Sequence, residues 1–282
     1  MSNLKILSIF RITSHKQHVE VDDTSTSPNK VSNQVLIFEK QLPGEELLKL
    51  FTKGTSVGTI LVIDAFTKEP FNAFDTLTGS ENDLHVLKLI TIEEQNAILC
   101  LPANFLTFYL GQKLAHKPKI FSIRVVTLSD RAHRGVYEDK SGPAIVKLVT
   151  EYFEINNKKS EVNSTIIPDN TDELSLILEE CKIAQTDVLI TTGGTGISQR
   201  DITIETVIEH IDKEIPGIME MIRLKYGAQN PNALLSRSIA GTMNQTLVYT
   251  LPGSPQAVKE YLQEIFLTLD HLLYMIHGID VH

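Results

Sequence analysis

Residues 120–128 read IFSIRVVTL, and the stretch that follows, Ser129–Pro143, reads SDRAHRGVYEDKSGP. The first run is almost continuously apolar and rich in β-branched side chains, the pattern of a strand buried on both faces of a parallel sheet. The second is polar and glycine-punctuated, so the chain leaves the sheet there. Beyond it Ile145, Leu148, Val149, Tyr152 and Phe153 recur at i, i+3, i+4, i+7 and i+8, which is helical spacing. A strand is expected over Ser164–Ile167, and a helix on the spacing of Leu174, Ile177, Leu178, Cys181 and Ala184. Strands at Asp187–Thr191 and Thr246–Leu251 follow, and a long last helix over Pro255–Met275 carries proline in its first turn. Strands alternating with helices of this length predict an α/β domain built as a parallel-sheet, three-layer sandwich.

Upstream the rhythm differs. Leu4–Ile12, Val35–Phe38, Gly58–Ile63, Leu84–Thr91 and Ala97–Leu101 are short β-branched and aliphatic runs separated by Gly, Pro, Asn and Asp, so residues 1–116 are expected to form a β-rich domain. The polar stretch Val21–Gln34 reads as an exposed loop, and Glu45–Phe51 as a short helix after the Pro43-Gly44 turn. The boundary is placed at His116-Lys117-Pro118-Lys119, with the α/β domain occupying 119–282. A length of 282 residues suits two domains.

Composition excludes several classes. A formal net charge of −9 argues against a nonspecific nucleic-acid binder, which needs clustered cations. Cys100 and Cys181 lie in apolar stretches without zinc spacing and do not form a disulfide scaffold. The start lacks the basic region and long apolar run of a signal peptide. No apolar segment reaches membrane-span length. A cytoplasmic protein without a membrane partner is expected.

Ligands of open parallel sheets bind beyond the carboxyl ends of the strands, so the loops after each strand are where chemistry is expected. After the first strand come Ser129, Asp130, Arg131, Arg134, Lys140, Ser141 and Gly142, a loop that places three cations within ten residues of an acidic chain. After the second come Pro168-Asp169-Asn170. After the third comes Thr191-Thr192-Gly193-Gly194-Thr195-Gly196, whose glycines permit close backbone approach and whose successive N–H groups can hold an anion. By itself such a turn is most often only a turn. It is neither a Walker loop nor a G-x-G-x-x-G fingerprint. Arg200 and Asp201 follow, with Thr203 and Glu205 opening a helix; Asp201 can hold Mg2+ that touches phosphate, or simply cap that helix. After the last strand come Pro252, Gly253 and Ser254.

Taken together, SDRAHRGVYEDKSGP (Ser129–Pro143), IPDN (Ile167–Asn170), TTGGTGISQRDIT (Thr191–Thr203), EIPGIMEMIR (Glu214–Arg223), LSRSIAG (Leu235–Gly241) and LPGSP (Leu251–Pro255) resemble, in order, the signature of the molybdopterin adenylyltransferase (MogA/MoaB) family. The resemblance implies binding of molybdopterin and Mg-ATP, transfer of AMP to the pterin's terminal phosphate with release of pyrophosphate, a homotrimer, and hand-over of the product to a molybdenum-insertion enzyme. It implies catalytic roles for Asp169, Asp201, Lys140 and Arg200, with Asp169 and Asp201 as Mg2+ ligands. It further implies substrate binding by Ser129, Asp130, Arg131, Ser141, Gly142, Thr192, Gly193, Gly194, Thr195, Gly196, Pro252, Gly253 and Ser254. Nucleotidyl transfer asks for positioning and charge neutralisation more than for covalent catalysis, and these residue types suit that. Where the family has proline after Arg-Asp-x-Thr this chain has Ile204. Two alternatives stay open: a silent molybdopterin-binding scaffold, and a nucleotide pyrophosphatase of the CinA type. In the first domain Lys5–Ile9 and Val57–Leu61 bear a faint resemblance to the β-rich MOSC domains; a folded module for stability or docking is the expected role.

Overall fold

The computed structural model describes residues 3–13, 57–63, 74–78, 83–92, 95–102 and 113–277. Contacts divide the chain into two compact units, the division falling between Lys119 and Ile120. In the first, strands β1 (Asn3–Thr13), β2 (Val57–Ile63), β3 (Thr76–Thr78), β4 (Asp83–Ile92), β5 (Gln95–Pro102) and β6 (Lys113–Lys117) close an antiparallel barrel in the order β1-β2-β5-β4-β3-β6. Closure leaves no unpaired edge. It depends on β6, which pairs with β1 through Leu4↔Leu114 and with β3 through Leu77↔His116. His116 and Lys117 were read as linker, but they are the last rungs of this strand. Their polar side chains hid a strand whose pairing is set by partners distant in sequence. Only Pro118 and Lys119 separate β6 from the next strand, and the Lys119 N–H donates to Asp75 Oδ1 at 2.9 Å. The strand expected at Val35–Phe38, the loop at Val21–Gln34 and the helix at Glu45–Phe51 lie outside the described residues.

The second unit carries a six-stranded sheet ordered β10-β11-β12-β9-β7-β8. Its strands are β7 (Ile120–Leu128), β8 (Lys159–Ile167), β9 (Val188–Thr192), β10 (Lys213–Glu214), β11 (Ala240–Met243) and β12 (Thr246–Leu251). The expected parallel sheet is present in β12, β9, β7 and β8. Antiparallel β11 and β10 extend it on one side, an addition too short to leave a periodic signal. Strand β8 begins five residues earlier than Ser164, because its polar start lies on a solvated sheet edge where no hydrophobic pattern is needed.

Helices are α1 (Asp130–His133), α2 (Ser141–Ile155), α3 (Thr171–Ala184), α4 (Thr203–Ile208), α5 (Pro216–Gly227) and α6 (Pro255–Ile276). Alternate side chains of β7 point to opposite faces of the sheet. Val126 and Leu128 join Leu174, Leu178, Ile204 and Val207 in the core beneath α3 and α4. Phe121 meets Phe153 of α2 on the other face, ring centroids 5.1 Å apart. Burying each such side chain stabilises by roughly 1.5–3 kcal/mol. Ile204 is 4 % exposed in the first of these cores, which accounts for an aliphatic residue there. Among the described residues no helix is long and apolar enough to cross a membrane.

The order of the strands positions the site. From β7 the chain runs through α2 to β8 on one side, and then returns past β7 to β9 on the other. The reversal leaves a crevice at the carboxyl ends of β7 and β9, where the loops of interest emerge.

Candidate active site

A cleft of about 430 Å3 opens at that crevice, lined by Thr127, Ser129, Tyr137, Lys140, Ser141, Thr192, Gly193 and Gly253 among others. It therefore gathers the loops after β7, β9 and β12, which the sequence spreads over more than a hundred residues.

Ser129 caps α1, its Oγ accepting from the Ala132 N–H at 3.2 Å, and it also meets the Tyr137 hydroxyl at 3.1 Å. The Arg131 guanidinium lies over the Tyr137 ring, 5.1 Å from its centroid. Lys140 is exposed at the start of α2. Among the described residues neither Lys140 nor Arg200 forms a side-chain ion pair, so both cations are available to an anionic ligand.

The N-terminal amides of α2 are occupied. Asp139 Oδ1 accepts from Ser141 and Gly142 at 2.9 and 3.1 Å, and its Oδ2 accepts from the buried Thr127 hydroxyl at 2.7 Å. Of Ser141 and Gly142, for which the resemblance implies substrate binding, the N–H groups donate to Asp139, and a Cβ on Gly142 would collide with the side chain of Thr127. The Ser141 hydroxyl donates to the Gly253 carbonyl at 2.8 Å, and Thr192 Oγ1 to the Pro252 carbonyl at 2.8 Å. These bonds lash the loop after β12 to the other two. Ser254 caps α6 through the Ala257 N–H at 3.1 Å.

The glycine loop is shaped by two successive positive φ angles, 97° at Gly193 and 64° at Gly194. A Cβ at Gly193 would strike the Leu128 carbonyl oxygen, and one at Gly194 the Thr203 hydroxyl. Glycine is thus required twice over, by backbone conformation and by space. The Gly193 N–H is used by the Leu251 carbonyl at 3.0 Å. Among the described residues nothing accepts from the N–H groups of Gly194, Thr195, Gly196 or Ile197.

Asp130 and Asp169 stand just beyond the ends of β7 and β8, and Asp201 lies between the glycine loop and α4. The Asp130 N–H donates to Asp169 Oδ2 and the Asp169 N–H to Asp130 Oδ1, each at 3.3 Å. Burial pushes the Asp169 carboxyl up; the fields of Asp130 and Asp201 push the same way, while the Asp130 amide and Arg200 oppose them. Asp201 does not cap α4, whose N-cap is Ile202; its Oδ2 instead accepts from the Ser198 N–H at 2.7 Å and closes a turn. Asp201 lines a second hollow of about 400 Å3 with Ser198, Gln199, Glu205 and Arg237. The helix expected to open at Thr203 and Glu205 is α4, six residues long.

Among the described residues no three His, Cys, Asp or Glu side chains form a metal cage. Mg2+ does not need one, since one or two carboxylates suffice when substrate phosphates and water complete its octahedron. The accumulated negative field around Asp169 and the all-oxygen donors fit such a substrate-borne ion.

Sequence reading left two contributors without a role. Asp139 lay inside the first motif, and an aspartate two residues ahead of a helix start was the available signal. Arg237 lay inside LSRSIAG. Its N–H donates to the Thr195 carbonyl at 3.1 Å, Nε to the Gly196 carbonyl at 2.6 Å and Nη2 to the Asp201 carbonyl at 3.3 Å, and the guanidinium pairs with Glu205. No local pattern announces a partner some forty residues away.

Residues 124–271 match the family described as "probable molybdopterin binding domain". A Helicobacter pylori (strain J99) protein named molybdopterin adenylyltransferase is 40% identical over 158 residues, spanning 55% of this chain and 88% of that one. A Pyrococcus furiosus protein of the same name is 38% identical over 161 residues, spanning 55% and 91%. The solved structure of the molybdopterin biosynthesis Mog protein from Mycobacterium ulcerans aligns with a TM-score of 0.50 at 34% identity, covering 55% of this chain and 99% of that one.

Proposed function

The chain belongs to the MogA/MoaB-like family of molybdopterin-binding proteins, and from that premise we propose that it adenylylates molybdopterin in molybdenum-cofactor biosynthesis. The observation that carries this reading is a glycine loop whose amides have no acceptor among the described residues, with Lys140 in the cleft beside Gly193 and with Arg200 and Asp201 acting on the Asp169 carboxyl.

In the reaction a terminal phosphate oxygen of molybdopterin attacks the α-phosphorus of ATP. A new phosphorus–oxygen bond forms, the bond to the β-phosphate oxygen breaks, and pyrophosphate leaves with its electron pair. Nothing in this exchange calls for a protein nucleophile. The amides of residues 194–197 bind phosphate oxygens, while Lys140 and Arg200 offset the charge that develops as the leaving group departs. Ser129, Thr192, Gly253 and Ser254 shape the walls against which the two substrates lie. Asp130 and Asp169 hold each other in register beside Asp201. Asp201 and Asp169 would hold Mg2+, which would neutralise the triphosphate when bound. A homotrimer that passes its product to a molybdenum-insertion enzyme completes the proposal, and light scattering tests the assembly state.

The chemistry is tested by incubating the purified protein with molybdopterin and Mg-ATP and assaying adenylylated pterin and pyrophosphate. Equal amounts of both support the transferase. Pyrophosphate formed without pterin would indicate a nucleotide pyrophosphatase, and pterin binding with neither product a scaffold.

A further inference from the structure

We infer that Arg237, with Thr203, is a positioning residue: it turns four consecutive backbone N–H groups of the glycine loop outward to form the phosphate cradle. The inference rests on the phosphate-binding reading of that loop.

The geometry is a matter of peptide planarity. In a trans peptide the N–H of one residue points opposite to the carbonyl of the residue before it. The Gly193 carbonyl accepts from Thr203 Oγ1 at 2.8 Å and the Gly194 carbonyl from the Thr203 N–H at 3.2 Å. The next two carbonyls, Thr195 and Gly196, accept from the Arg237 N–H at 3.1 Å and its Nε at 2.6 Å. All four carbonyls are thus held by two residues, and these are linked in turn, since Arg237 pairs with Glu205, two positions after Thr203. The N–H groups of Gly194, Thr195, Gly196 and Ile197 each point away from the donor that holds the preceding carbonyl, and these are the four that have no acceptor among the described residues. A row of aligned, unpaired amides is an anion-binding concavity.

Arg237 suits this task better than lysine would. Its planar fork reaches the Gly196 and Asp201 carbonyls while also pairing with Glu205 on α4, so one side chain ties the loop's middle, its end and the helix after it. Because Glu205 already takes its charge, the guanidinium acts through geometry and not as a cation on the phosphate.

The test measures binding of inorganic pyrophosphate to the full chain by calorimetry, together with the melting temperature. Arg237→Lys is expected to weaken binding at least tenfold, and Thr203→Val about fivefold. Lys158→Gln breaks the half-buried pair with Asp270 and serves as a stability control; its affinity should stay unchanged although it melts earlier. Should Arg237→Lys not fold, the near-isosteric Thr203→Val carries the test. Wild-type affinity in both loop variants would overturn the inference while leaving the proposed function standing. Equal weakening in Lys158→Gln would also overturn it, by showing a general response to lost stability. Failure of the wild type to bind pyrophosphate would remove the phosphate-site reading itself.

Discussion

Gly193 and Gly194 are held at φ angles of 97° and 64° against the backbone of Leu128 and the side chain of Thr203. Gly194→Ala is therefore expected to destabilise the protein by about 2 kcal/mol, from left-handed strain with overpacking added, measured by urea denaturation. Asp201→Asn should abolish adenylylation while leaving the fold intact, because the amide oxygen still accepts from Ser198 N–H but the charge beside the loop is gone. Full activity in a well-folded Asp201→Asn protein would remove the metal role. The string TTGGTG was legible as a close-approach loop because glycine's freedom is a property of the residue itself. That Asp139, and not a ligand, satisfies the amides of Ser141 and Gly142 was not legible, since choosing between them needs coordinates.

The first two amides of α2 are held by Asp139, so Asp139→Ala should cost about 1–2 kcal/mol and loosen the loop carrying Lys140, seen as a lower urea midpoint. Helices α5 and α6 are joined by Glu264, 4 % exposed, which accepts from Lys225 Nζ at 2.7 Å and from the Tyr226 hydroxyl at 2.9 Å. The Lys225 ammonium, more than Tyr226, holds the Glu264 carboxyl below its ordinary value against the opposing effect of burial. A depressed carboxylate contributes stability that is present above its unfolded pKa near 4.5 and is lost as pH falls through the folded value. Acidification from pH 6 to pH 4 should thus lower the melting temperature of the wild type more than that of Glu264→Gln; an equal loss in both would exclude Glu264 as the cause. Helical spacing anticipated α2, α3 and α6 because each buries a stripe against the sheet. It did not anticipate β10 or β11, two to four residues long and held by antiparallel pairing.

At the scale of the molecule, the sheet and its two helical layers draw their core from residues 120–277. A fragment of residues 119–282 is expected to fold and to retain adenylyltransferase activity, checked by circular dichroism and by pyrophosphate release. An insoluble or inactive fragment would show that the barrel unit completes the core or the site. The barrel's role is not carried by any motif, and its closure through β6 escaped reading because His116 and Lys117 look like linker until their partners are known.

Periodicity, glycine and cap residues act over one or two turns of chain, so the sequence by itself determined the α/β class, the strand-ending loops and the candidate carboxylates Asp169 and Asp201. Tertiary structure decided which of these groups meet. It brought Ser141 to Gly253, Thr192 to Pro252 and Arg237 to Gly196, contacts between residues 41 to 112 positions apart. Such contacts depend on strand order and on which face each helix covers, and neither is a property of any local stretch of sequence.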